Sequence, residues 1–200
     1  MTCNILELLS KRHSFYDIDD KLPISTLEIN ALIQKCLEIY PSSFNAQSAR
    51  LMVLYHQEHK KFWSLVENEL LKVSPSEKAD AIKKRISSFV SGAGTILFFD
   101  DANITKDLEK NMPLYAENFK NWAYQSNAIL QYMIWTTFAN YGIGSSLQHY
   151  NPLINLAVQQ AFDISDNLEL VAQMPFGGIG LYPQPHNFEN IEKKLIVKNG

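Results

Sequence analysis

The stretch Tyr115–Tyr141 constrains this chain more than any other, because it runs without proline or glycine. Its second half places Ala128, Ile129, Tyr132, Met133, Trp135, Thr136, Phe138 and Ala139 around nearly every face of the helix it predicts. A helix apolar all round must be covered on all sides, by a large core or by another subunit. In a chain of 200 residues we read it as the contact between two subunits, and expect a charge at Trp135 to break that contact. Gly142 and Gly144 end the helix.

Other elements follow from local signals. Asn4–Ser10 predicts a short helix. Ser25-Thr-Leu-Glu28 is a capping box, followed by Ile29, Leu32, Ile33, Leu37 and Tyr40 at helical spacing up to Pro41. Arg50–Tyr55 has the length and composition of a strand, and Glu58–Leu71 that of an amphipathic helix. Ser74-Pro-Ser-Glu77 reads as a second capping box with proline at the first helical position, opening a helix to about Ser91. Thr95–Phe99 predicts a buried strand, Ser145–Leu147 a short one, Pro152–Phe162 a helix and Leu168–Met174 another strand. From Pro175 the chain reads as an extended arm. Strands separated by helices imply one domain over residues 1–200, an α+β or α/β sandwich.

Charge narrows the function. Eighteen Lys and Arg against 21 Asp and Glu give a formal net charge of −3, which argues against the basic surface that nucleic-acid phosphates require. No run approaches the roughly 20 apolar residues of a membrane span. Met1–Leu9 is too short for a signal peptide and leads into Lys11-Arg12, so the chain reads as cytoplasmic. Cys3 lies at the terminus and Cys36 inside a helix; neither has metal-ligand spacing, and Cys36 reads as a buried thiol. Nucleophile elbow, P-loop, HExxH and dinucleotide-binding glycine fingerprint are all missing. A nicotinamide donor would therefore have to stack directly on another bound cofactor.

Three segments could carry chemistry. Arg12-His13-Ser14 offers a guanidinium fork and a hydroxyl, which suit a phosphate. The loop Pro41-Ser-Ser-Phe-Asn-Ala-Gln-Ser48 holds hydroxyls, two carboxamides and one aromatic; carboxamides match a ligand edge that mixes donors and acceptors. Gly142–Tyr150 is a glycine-broken helix end, a short strand and a turn bearing Leu147, Gln148 and His149. Read by composition alone, each also fits a plain surface role: a solvated helix end, a loop bonding its own backbone, a satisfied histidine.

Together these segments, with Gly92–Asp101, Trp122–Tyr132 and the MPFGG run at Met174–Gly178, resemble the FMN-dependent nitroreductase family. The resemblance extends to the subgroup of the fatty-acid repression mutant protein and the bacterial stress-induced nitroreductases, and it spans almost the whole chain in order. It implies a three-layer α/β/α sandwich with a mostly antiparallel central sheet, a homodimer with FMN at the interface, and a C-terminal arm (183–200) reaching the partner. By position it assigns Arg12, His13 and Ser14 to the FMN phosphate end, with Lys194 as a second basic contact where the family usually has Arg. Ser42, Ser43, Asn45 and Gln47 would face the ribityl chain and ring, in part from the other subunit. Arg85 would meet the pyrimidine side, and backbone amides around Leu147, Gln148 and His149 would face N5 and O4. The better-known nitroreductases carry an acidic residue and glycine where this chain has Gln148 and His149, so side-chain roles there do not transfer.

The activity so implied is an NAD(P)H oxidoreductase reducing nitroaromatic or quinone-type acceptors by ping-pong transfer in stress defence, with the electron chemistry on the cofactor and no catalytic side chain. Phe44, Tyr115, Trp122 and Tyr150 are the expected walls of the acceptor pocket, and core packing accounts for each of them equally well. The alternative is a flavin-binding sensor or sequestering module with the same binding residues and little turnover.

Overall fold

The computed structural model describes residues 4–184, 189, 190, 192 and 194–199; Cys3 lies outside them. The elements run α1 (Ile5–Ser10), β1 (Ile18–Asp19), α2 (Thr26–Ile39), β2 (Ala49–Tyr55), α3 (His56–Val73), α4 (Ala79–Val90), β3 (Gly94–Asp101), α5 (Ala102–Asn111), α6 (Ala116–Asn140), β4 (Ile143–Ser145), α7 (Asn155–Phe162) and β5 (Leu168–Ile179). Four strands pair in the order β1-β5-β3-β2, with β4 also on β5, and every pairing is antiparallel.

Strand alternation divides the core into two layers, because successive side chains of β3 point to opposite faces. Ile96 and Phe98 pack with Ile29, Ile33 and Cys36 of α2 and with Leu130, Ile134 and Phe138 of α6. Leu97 and Phe99 pack on the other face with Phe62, Trp63 and Val66 of α3, Ile86 and Phe89 of α4 and Val158 of α7. The result is the three-layer α/β/α sandwich with an antiparallel centre.

Helix α6 is more selective than its composition implies. One side carries Leu130, Ile134 and Phe138 into the core, while Ile129 and Tyr132 are 44% and 41% exposed in the protomer. Buried Asn127 donates its Nδ2–H to the Phe99 carbonyl (2.9 Å), where the β3–β5 register shifts, and receives Gln131 Nε2 (2.8 Å). The shift leaves Val171 of β5 as the extra residue, and the carboxamide pair ties α6 to β3 at that point.

Two expectations need correction. The capping box at Ser74 does not form: the Ser74 amide closes α3 on the Leu70 carbonyl (3.1 Å), Pro75 opens a 3-10 turn (Ser76–Lys78) without a side-chain cap, and α4 begins at Ala79. The arm does not start at Pro175, since β5 continues to Ile179. Gly177 and Gly178 allow this, because β1 crosses so near that a β-carbon at either would collide with Asp19. Among the described residues, no helix is long and apolar enough to cross a membrane.

Candidate functional site

Beyond α1 the chain runs without regular structure from Arg12 to Tyr16, and the Phe15 amide donates to the Ser145 carbonyl of β4 (3.0 Å). Trp135 fixes this segment to α6. Its indole N–H is shared between the carbonyls of His13 (3.2 Å) and Ser145 (3.1 Å), and the Arg12 guanidinium lies 4.2 Å from the ring centroid. Trp135 thus faces Arg12, so a charge there would disrupt the Arg12 segment as well as any subunit contact. Ser14 is half-buried beside it and the His13 side chain is exposed.

Arg85, exposed on α4, lies 4.5 Å over the ring of Tyr16. Among the described residues neither Arg12 nor Arg85 has a carboxylate within ion-pair distance, whereas Arg50 is held by Asp101. Residues 12 and 16 are at most about 14 Å apart along the chain. Two uncommitted guanidiniums, one at Arg12 and one over Tyr16, thus border one segment.

Past β4, Gln148 exchanges both backbone hydrogen bonds with Gln173 (2.7 and 2.9 Å). Its amide is therefore committed, and its side chain folds back to the Ser146 hydroxyl (3.1 Å). The amides of Leu147 and His149 have no acceptor among the described residues. Fully buried Gln173 holds the following turn, accepting the Tyr150 amide on Oε1 (2.9 Å) and donating Nε2–H to Asn151 Oδ1 (3.4 Å). The Tyr150 ring is edge-on to Trp63 (6.0 Å). Burial pushes its phenol above the ordinary value, and the nearby Arg85 charge opposes the shift.

The Ser42–Gln47 loop lies elsewhere. It forms a 3-10 turn (Ser43–Asn45) in which Phe44, Asn45 and, just beyond, Gln47 have φ of 53°, 52° and 51°. The Ser43 amide donates to Ser126 Oγ on α6 (3.1 Å), the Gln47 amide to Ser42 Oγ (3.0 Å), and Gln47 Nε2 to Asn45 Oδ1 (3.0 Å). Phe44 stacks on Trp122 (5.7 Å) and also meets Tyr115 (6.2 Å) and Phe119 (5.4 Å). Behind the loop, buried Asp100 accepts the Ser48 hydroxyl (2.6 Å) and the Thr105 hydroxyl (3.3 Å). Burial raises its carboxyl above the usual range, and the two hydroxyls partly offset that.

The expected residues therefore fall into two groups in one protomer. Arg12, His13, Ser14, Leu147, Gln148, His149, Arg85 and Tyr150 belong to the first; Ser42, Ser43, Phe44, Asn45, Gln47, Tyr115 and Trp122 to the second. Their anchors on α6, Trp135 and Ser126, are nine residues apart, or about 13 Å of helix. Tyr150 thus does not join the other three aromatics in one wall. Lys194 is paired with Glu189 in the tail (3.8 Å) and joins neither group.

Sequence reasoning missed Tyr16, Gln173 and the holding role of Trp135. The only signal for Gln173 was a lone carboxamide in the apolar stretch Leu170–Met174; Tyr16 carried none.

Comparison with known proteins agrees with this architecture. Nitroreductase FRM2 of Saccharomyces cerevisiae is 27% identical over 191 residues, covering 94% of this chain and 95% of that protein. Nitroreductase CinD from Lactococcus lactis, solved with chloramphenicol, is 30% identical with a TM-score of 0.89, covering 98% of this chain and 100% of that one; it has also been solved with nicotinic acid and with 4-nitrophenol. A nitroreductase from Desulfitobacterium hafniense with bound FMN shares the fold at 16% identity and a TM-score of 0.74, covering 100% of each chain. Residues 9–178 match the nitroreductase family profile. With that match spanning most of the chain and both core layers, the protein belongs to the nitroreductase family.

Proposed function

We propose that this protein is an FMN-dependent oxidoreductase that takes electrons from NADH or NADPH and reduces nitroaromatic or quinone-type acceptors as a homodimer. The observation that carries this reading is the pair of arginines, Arg12 and Arg85, left without carboxylate partners among the described residues along one segment. A free guanidinium beside a serine hydroxyl suits a phosphate. A second cation suits the ring end of the same ligand.

Arg12 and Ser14 would hold the phosphate, with Trp135 and the His13 carbonyl keeping Arg12 in place. Arg85, oriented by Tyr16, would face the pyrimidine edge. The free amides of Leu147 and His149 would meet the opposite ring edge, in place of the committed Gln148 amide. Ser42, Ser43, Asn45 and Gln47 lie in the other group, about 13 Å further along α6 in the same protomer. A second copy would bring them, covering the exposed apolar residues Ile129 and Tyr132 between the two anchors. Lys194, already held by Glu189, is not needed.

Bound there, FMN would supply the electron transfer, and the protein would bind, orient and expose it. Chloramphenicol and 4-nitrophenol, both bound by CinD, are nitroaromatics, and nicotinic acid shares the ring of the nicotinamide donor. Phe44, Tyr115 and Trp122, packed over buried Phe119, would offer ring faces to such flat molecules.

The test is the visible spectrum of the purified protein with FMN, taken anaerobically. Bleaching by NADH or NADPH and recovery on adding a quinone or nitroaromatic are expected. A flavin that binds but does not bleach would leave only a binding module, and a protein that takes up no FMN would overturn the flavin reading.

A further inference from the structure

The Ser42–Gln47 loop holds three non-glycine residues in the left-handed region, a conformation that persists only where the surroundings fix it. One hydrogen bond within the loop and one to α6 account for its first half: the Asn45 amide bonds the Ser42 carbonyl (2.9 Å), and Ser126 of α6 takes the Ser43 amide. The exit, where Gln47 turns into β2, is held at the Gln47 amide by Ser42 Oγ (3.0 Å) and at its carbonyl by a side chain outside the loop. Arg50 Nη1 donates to the carbonyls of Gln47 (2.9 Å) and Ala49 (3.0 Å), and Nη2 donates to Asp101 Oδ2 (3.2 Å). Asp101 is itself tied down. Its Oδ1 caps α5 through the Asn103 amide (3.2 Å) and accepts Asn167 Nδ2 (2.7 Å). The chain is thus fixed from α5 through Asp101 and Arg50 to the carbonyl of Gln47, whose side chain in turn holds Asn45 (3.0 Å).

We propose that Arg50 is a positioning residue for the proposed cofactor loop: anchored by Asp101, its guanidinium fixes the Gln47 carbonyl and so sets the direction in which the Asn45 and Gln47 carboxamides are presented. Only the identity of the ligand rests on the flavin reading; the clamp itself does not. The guanidinium is suited to this because its planar fork serves carbonyls and a carboxylate at once. A lysine ammonium, a single point charge, cannot hold all three acceptors in that geometry.

The experiment compares wild type, Arg50→Lys, Arg50→Ala, Gln47→Ala and the Arg50→Ala/Gln47→Ala double variant. Two readouts are taken: amide hydrogen exchange over residues 43–47 without FMN, and FMN affinity by fluorescence titration. Arg50→Ala is expected to speed exchange in the loop and to weaken FMN binding by about tenfold, the loss expected for hydrogen bonds from a charged donor. Arg50→Lys should fall between, and it serves alone if the alanine variant does not fold. Because Arg50 acts through Gln47, the double variant should bind no more weakly than the worse single variant. A merely structural arginine would lower stability and give additive losses. Unchanged loop exchange in both Arg50 variants, or additive losses in affinity, would overturn the proposal. Wild type that takes up no FMN would overturn the flavin reading instead, and the exchange comparison would still decide whether Arg50 fixes the loop.

Discussion

Gln173→Leu isolates one side chain that holds the candidate site from below. Leucine is close in volume and suits a fully buried strand position, so the packing change is small. The backbone bridge between Gln148 and Gln173 survives, because it involves no side chain. What is lost is the Oε1 acceptor of the Tyr150 amide, at 2.9 Å, and the longer bond to Asn151. Leaving a buried donor unsatisfied costs about 1–3 kcal/mol. Tyr150 is only half-buried, so we take about 1.5 kcal/mol, toward the lower end of that range. For a chain of this size that lowers Tm by about 3–6 °C. The assay is thermal unfolding at fixed protein concentration and fixed FMN saturation, since subunit and ligand binding both shift Tm. Amide exchange adds a local signature: the Tyr150 amide should lose protection while those of Gln148 and Gln173 keep theirs. A Tm within 1 °C of wild type (about 0.5 kcal/mol or less), or a Tyr150 amide as protected as before, would refute the reasoning.

Other predictions follow from the same structure. Arg12→Ala should weaken FMN retention far more than folding, since the guanidinium has no ion pair among the described residues to lose; unchanged flavin content in the purified variant would remove Arg12 from the phosphate site. Ile129→Asp places a charge on the exposed apolar side of α6, and sedimentation should show a monomer; a dimer of unchanged strength would put the contact elsewhere. His59 is buried against Thr95, with its Nδ1 2.8 Å from the threonine hydroxyl, and burial lowers its pKa below the ordinary 6.5. The unfolded chain therefore takes up a proton near pH 6.5 that the folded chain refuses until lower pH. The stability from His59 is complete above that value and is lost as pH falls toward the lowered folded value. His59→Phe should flatten the loss of unfolding free energy over this acid range, and an identical pH slope in the two proteins would contradict it.

Much of the fold was legible because its signals are local. The capping box at Ser25, the spacing of Ile29 and Ile33 and the apolar run Thr95–Phe99 each reflect interactions within a few residues, and the two elements they specify, α2 and β3, form there. Helix α5 gave little signal, since its cap, Asp101, lies inside a strand and its apolar positions are few. The β5 extension was hidden by Pro175, Gly177 and Gly178, which ordinarily argue against a strand. Here the glycines are needed because β1 passes against them, a contact between residues far apart in sequence.

The same division holds at the candidate site. The sequence by itself determined the residue types: the Arg12 segment, the carboxamide loop, the glycine-broken turn and the apolar helix are all readable as composition in a short window. Only the tertiary structure decided how they are arranged. It set Trp135 against Arg12, Tyr16 beneath Arg85 and Gln173 under the Tyr150 turn, and it put the loop more than two helical turns away along α6. These are pairings across distant parts of the chain, fixed by which faces of α6 and β5 are buried, and no local pattern encodes them.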